Sequence, residues 1–193
     1  MIVSGSQAMY FKLRYDIPTD EEGGYYMPED GLDFEGVESW ALGRVFTKAP
    51  PDPIWIGLLP VADFTGEPSA MFDRYMCLMN EPMVEALRRG GVDNIDTYPA
   101  ILHDSVNGRQ FRYLAVNILG LVAAADLSKS RWRNFDGAAR LDTHFETLVV
   151  DPDSARGQLM FRLAEDTGTI IVHANIKQAL ESAGIPGLKF VQV

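Results

Sequence analysis

Apolar positions change their spacing several times along the chain, and each change marks an element. Ile54-Trp55-Ile56 is a short apolar run between Pro50-Pro51-Asp52-Pro53 and the Gly57 to Pro60 exit, which reads as a strand. From Asn80 the spacing turns helical. Asn80 is a good N-cap, Pro82 is tolerated in the first turn, and Met83, Val84 and Leu87 make an apolar stripe. Arg88 and Arg89 suit the negative end of the helix dipole, and Gly90-Gly91 ends the helix. A hairpin is expected next, because Asn107-Gly108 is the preferred pair for a type I′ turn. Residues 98–102 precede that turn and residues 111–121 follow it. The second arm is apolar on both faces from Tyr113 onward, which predicts a central strand covered on two sides.

Beyond Leu121 the elements shorten. Asp126 and Ser128 mark a turn, and the polar, Arg-bearing stretch 128–140 predicts a long loop. Short strands are expected at 147–150, 159–163 and 169–173. The last two are joined by Glu165-Asp166-Thr167-Gly168, with Gly168 expected to supply a positive φ. Asn175 is expected to cap a second helix, in which Ile176, Ala179, Leu180 and Ala183 share one apolar face. Gly184 and Pro186 stop that helix, and residues 188–193 alternate enough for a final strand. The sum is an α+β fold: a mainly antiparallel sheet with two or more packed helices.

Composition narrows the class. The chain has 193 residues, 47% of them hydrophobic, enough for one domain with a core of its own. Residues 1–193 are therefore read as a single domain. No apolar run approaches the roughly 18 residues of a membrane span. The opening residues lack the basic and apolar regions of a signal peptide, so a cytoplasmic location is expected. Cys77 is the only cysteine, which excludes an intrachain disulfide and a cysteine-based metal site. It lies in the run Tyr75-Met76-Cys77-Leu78-Met79, where core packing is expected.

Charge changes the picture more. The formal net charge is −10, which opposes binding to nucleic acid or to anionic membranes; it either keeps the protein soluble or complements a basic protein partner. It is also unevenly spread. Between residues 16 and 38 stand Asp16, Asp20, Glu21, Glu22, Glu29, Asp30, Asp33, Glu35 and Glu38, with no Lys or Arg. Gly and Pro interrupt the stretch, so residues 16–53 are read as an irregular acidic segment at the surface. Aromatics within a charged rim are common at protein interfaces. Asp20, Glu21, Glu22, Tyr25, Tyr26, Glu29, Asp30, Asp33 and Phe34 are accordingly the expected partner-binding residues.

Catalytic patterns are missing. There is no Gly-x-Ser elbow, no Walker loop and no Gly-x-Gly-x-x-Gly fingerprint, so neither catalytic residues nor a cofactor is expected. His103, His144 and His173 are scattered, and each reads as a polar residue near a strand end. Arg131, Arg133 and Arg140, with Trp132 and Phe135, form the one basic-aromatic cluster, expected to be a solvated loop or an internal partner for the acidic segment. Two rival readings stay open: a small enzyme assembled from His103, His144, Arg131 and Asp126, and a generic interaction module.

A resemblance favours the binding reading. Residues 111–118 and Ala125-Asp126-Leu127-Ser128-Lys129-Ser130 place a Tyr/Phe-rich strand with Asn117 ahead of an Asp and a Ser. Residues 159–163 and 170–172 follow, and the chain closes with a helix, Gly184-Ile185-Pro186-Gly187 and a final Phe190-bearing strand. In this order and spacing, supported by residues 10–13 and Asp63-Phe64, the chain resembles a family of immunity proteins from bacterial polymorphic toxin systems. The acidic insert has no counterpart in that pattern. The resemblance implies neutralisation of a cognate toxin by protein–protein contact, in bacterial competition, without catalytic residues. Asn117, Asp126 and Ser130 match its motif, as a buried amide and turn caps or as functional groups.

Overall fold

The computed structural model describes residues 9–30, 32–133 and 143–193. In chain order the strands of the first half are β1 (Tyr10–Tyr15), β2 (Tyr25–Pro28), β3 (Ile54–Val61), β4 (Met71–Asp73) and β5 (Cys77–Asn80). Helix α1 (Glu81–Arg89) leads to β6 (Ile95–Asp104), β7 (Arg109–Ile118), β8 (Leu121–Val122), β9 (Arg131–Arg133) and β10 (His144–Thr147). Helix α2 (Pro152–Ala155), β11 (Met160–Leu163), β12 (Asp166–His173), α3 (Ala174–Ser182) and β13 (Leu188–Gln192) complete the order.

Two larger sheets dominate. One has six strands in the order β2-β3-β6-β7-β5-β4, the other five in the order β13-β1-β12-β11-β8, and β9 pairs with β10 alone. Pairing is antiparallel except for β3 with β6 and β8 with β11. The β6–β7 hairpin is the spine of the first sheet, in continuous register from Ile95↔Ile118 to Asp104↔Arg109. β7 lies between β6 and β5, as its two apolar faces require. Tyr113 and Ala115 enter a core beneath β3. Leu114, Val116 and Ile118 turn to a second core that also holds Leu13, Val172, Val84 and Leu87 of α1, and Ile176 and Leu180 of α3. Leu114 is only partly buried; each fully buried aliphatic among the others contributes roughly 1.5–3 kcal/mol by leaving water. Cys77 is fully buried in this second core, and burial pushes its thiol pKa well up.

The first helix follows its sequence signals. Asn80 Oδ1 accepts from the Met83 N–H at 3.0 Å, and Gly90 follows the last turn. Several other expectations are corrected. The acidic segment is not wholly irregular, since Tyr25–Pro28 forms an edge strand on β3. The β6–β7 connection is not a two-residue type I′ turn. Four residues separate Asp104 from Arg109, and only Gly108 of the Asn107-Gly108 pair has positive φ. The Asp104 carboxylate organises this loop by accepting from the Val106 and Asn107 N–H groups and from Asn107 Nδ2.

In the C-terminal half, residues 131–133 are strand rather than loop; Phe135 and Arg140 lie outside the described residues. Asp151 caps a short helix where only a turn was expected, its carboxylate accepting from the Asp153 N–H. The β11–β12 connection turns at Ala164-Glu165, and Gly168 lies inside β12 without positive φ. His173, not Asn175, caps the last helix, its Nδ1 accepting from the Asn175 N–H at 3.2 Å.

Candidate partner-binding surface

The acidic segment is folded against the protein. From its turn at 20–24 it runs along β2, then residues 34–46 cover the inner face of the six-stranded sheet with Phe34, Val37, Trp40 and Phe46. Trp40 and Phe46 meet edge to face at 4.8 Å between ring centroids, and Tyr98 stacks on Phe46 at 5.6 Å. Asn117 pins the segment from the sheet side, its Nδ2 donating to the Arg44 carbonyl at 2.8 Å. Gly43 lies against Gly120, whose N–H donates to the Gly43 carbonyl at 2.8 Å. A side chain at position 43 would strike that backbone at under 3 Å, so glycine permits the contact.

This packing divides the expected partner-binding residues. Asp20, Glu21, Glu22, Glu29, Asp30 and Asp33 are exposed, while Tyr25 and Phe34 are half-buried. Tyr26 is a correction. Only 1% exposed, it is a core residue and cannot meet a partner. Its ring packs edge to face on Phe64 and Phe111, and its hydroxyl donates to Asp104 Oδ2 at 2.7 Å. Burial raises the Tyr26 pKa, and the bond to Asp104 raises it further. Burial acts to raise the pKa of Asp104 as well, but the bonds from Asn107, Tyr26 and Val106 outweigh it and hold the carboxyl below its ordinary value.

The acids themselves fall into two groups. Asp16 pairs with Lys189 at 2.7 Å, Asp30 with Arg74 at 3.4 Å, Glu38 with Arg44 at 3.2 Å, and Glu35 with Lys48. Asp20 Oδ1 accepts from the Gly24 N–H and closes the turn before β2. Glu21, Glu22, Glu29 and Asp33 have no ion-pair partner among the described residues. Beside Asp30, a pocket of about 60 Å³ opens between Pro28, Trp40, Ile56, Phe72, Tyr75 and Leu78. Glu29, Asp30 and Arg74 also line it.

The residues of the enzyme reading are dispersed. His103, His144 and His173 fall on β6, β10 and β12, each in a different sheet. Arg131 pairs at 3.9 Å with Glu146 on the neighbouring strand, not with the acidic segment, and Trp132 donates to the Leu127 carbonyl. Asp126 accepts from the Ser128 N–H and Oγ and pairs with Lys129 at 2.6 Å. The bonds from Lys129 and Ser128 lower its pKa to about 2. Ser130 Oγ accepts from the Val149 N–H. No group of three His, Cys, Asp or Glu suited to a metal ion occurs among the described residues. The motif residues Asn117, Asp126 and Ser130 thus each hold a loop in place. No helix among the described residues is long and apolar enough to cross a membrane.

On this scaffold exposed acids surround apolar side chains, and comparison with known families points to the immunity proteins. The profile of the immunity protein family (Imm11) matches residues 77–193, and the chain belongs to that family. No curated protein matches the chain. The match begins at the first residue of β5 and leaves β1 to β4 outside it, yet β1 lies between β13 and β12 in the five-stranded sheet.

Proposed function

We propose that the chain binds a cognate bacterial toxin and neutralises it by protein–protein contact, without chemistry of its own. Membership of an immunity protein family carries this reading. The partner is a basic toxin, and Glu21, Glu22, Glu29 and Asp33 meet it, together with Asp20, Asp30 and the half-buried Tyr25. These acids steer the encounter and set specificity, while desolvated apolar contacts supply most of the affinity. Phe34 seats the segment on the sheet. The chain acts as one domain, a reading supported by the place of β1 in a sheet built otherwise from the family-matched region, and its place of action is the cytoplasm.

Co-production in bacteria with the toxin domain encoded beside its gene tests the proposal. Growth should be restored, and the two purified proteins should co-elute as a stoichiometric complex. Unrelieved toxicity, or protection without a complex, would overturn it.

A further inference from the structure

On one face of the six-stranded sheet, β3 presents exposed apolar side chains. Odd-numbered residues of β3 point away from the inner core, and register places Trp55 beside Ile101, Gly57 beside His103, and Leu59 beside Met27. α1 packs on this face at β5 and β7. At the β3 end the side chains on this face are exposed, Trp55 by 54% and Leu59 by 40%. His103 meets the Trp55 ring edge-on at 6.3 Å and props the indole from one side.

Glu29 reaches onto the same face. Its N–H donates to the Gly57 carbonyl at 2.8 Å, and its side chain lies where a Cβ on Gly57 would stand, with a carboxylate oxygen 2.0 Å from that position. Gly57 is therefore the residue that lets the carboxylate rest on the sheet, two positions from Trp55 and on its side. Glu29 has no cation partner among the described residues. Arg112, across from Ile101, is drawn to Glu81 at 3.1 Å instead. Acids bracket this face: Asp20, Glu21 and Glu22 precede β2, and Glu29 and Asp30 follow it.

We infer that this open face is the anchor site for the toxin, and that a Lys or Arg side chain of the toxin docks between the Trp55 indole and the Glu29 carboxylate. An aromatic face and a carboxylate on one surface match a cation that carries an apolar stem. A partner of the opposite charge also complements the net charge of −10. The inference rests on the toxin-binding reading above and gives it a central contact that the acidic segment by itself lacks.

The experiment measures affinity for the inactivated toxin domain encoded beside the gene, by calorimetry. Trp55→Ala should weaken binding about tenfold or more, as truncation of an aromatic anchor does. Glu29→Gln should weaken it less, and Glu29→Lys more than Trp55→Ala. Gly57→Ala keeps the charge but displaces the Glu29 side chain, and should match Glu29→Gln. Unchanged thermal unfolding of each variant separates these losses from misfolding. Wild-type affinity in both Trp55→Ala and Glu29→Lys would overturn the inference and leave toxin binding standing. Absence of binding by the wild type would overturn both. Wild-type self-association that Trp55→Ala abolishes would assign the face to a second copy and overturn the inference.

Discussion

Arg162 and Asp73 form a buried bidentate pair that ties the two large sheets together. Arg162 lies on β11, only 2% exposed, and its Nη2 and Nη1 donate to the Asp73 carboxylate at 2.7 and 3.2 Å on β4. Nη1 also donates to the Thr167 carbonyl at 2.9 Å. Burial opposes the charge on Arg162, but Asp73 outweighs it and raises the guanidinium pKa. Asp73→Ala leaves a buried cation without its counter-charge, and should cost about 3–5 kcal/mol in denaturant unfolding. The double variant Asp73→Ala/Arg162→Met should lose less than Asp73→Ala alone. A loss under about 1 kcal/mol in the single variant would show that the sheets do not depend on the pair.

A second consequence concerns acid. The Asp104 carboxyl is held below its ordinary pKa, so it favours the folded state while it is ionised in both states. That contribution is complete above the unfolded carboxylate value of about 3.9. It declines as the pH falls below that value and is gone beneath the folded pKa. Asp104→Asn should therefore lose about 1–3 kcal/mol at neutral pH, because Tyr26 and the β6–β7 loop lose a charged acceptor. It should also show a shallower loss of stability on acidification. Parallel pH profiles for the variant and the parent would refute the assignment.

What the sequence made legible was mostly local. Asn80 and Gly90-Gly91 bound α1 because caps act within a turn, and the two-faced run in β7 required a central strand. Long-range choices were hidden. Nothing near Tyr10–Tyr15 announces that its partners are β12 and β13, more than 150 residues away. Asn107-Gly108 lost its turn type to Asp104, whose carboxylate accepts three bonds from the loop. Tyr26 looked like a surface aromatic among acids, but its neighbour Asp104 is 78 residues on and offers a buried acceptor. Trp55 stood in a short apolar run that read only as a strand. Only the period-two alternation of Ile54, Trp55, Ile56, Gly57 and Leu58 hints that it points outward.

If the chain acts by contact, two of its histidines are dispensable for protection. His144 is exposed on β10, and His173 caps α3. His144→Ala should protect cells as the parent does. His173→Ala should do so too, at about 1 kcal/mol lower stability from the lost cap. Growth in the presence of the toxin, paired with thermal unfolding, checks both. A folded variant that no longer protects would revive the enzyme reading.

The acids themselves permit the sharpest comparison, because the fold has sorted them. Among the described residues Glu21, Glu22, Glu29 and Asp33 lack a cation partner, whereas Asp16, Glu35, Glu38 and Glu181 each have one. Amide replacement of either set of four removes the same net charge, so their long-range fields change equally. If the net charge of the chain alone steers the toxin, both variants should associate equally slowly. If the unpaired acids meet the toxin, the first variant should associate several-fold more slowly than the second in stopped-flow measurements at low salt. The gap should shrink as the Debye length falls from about 30 Å at 0.01 M salt to about 8 Å at 0.15 M. Melting should barely move in the first variant. In the second it should fall slightly, since each exposed pair is worth roughly 0–1 kcal/mol. Equal association rates at every ionic strength would reduce the segment to a source of net charge and move the interface elsewhere on the protein.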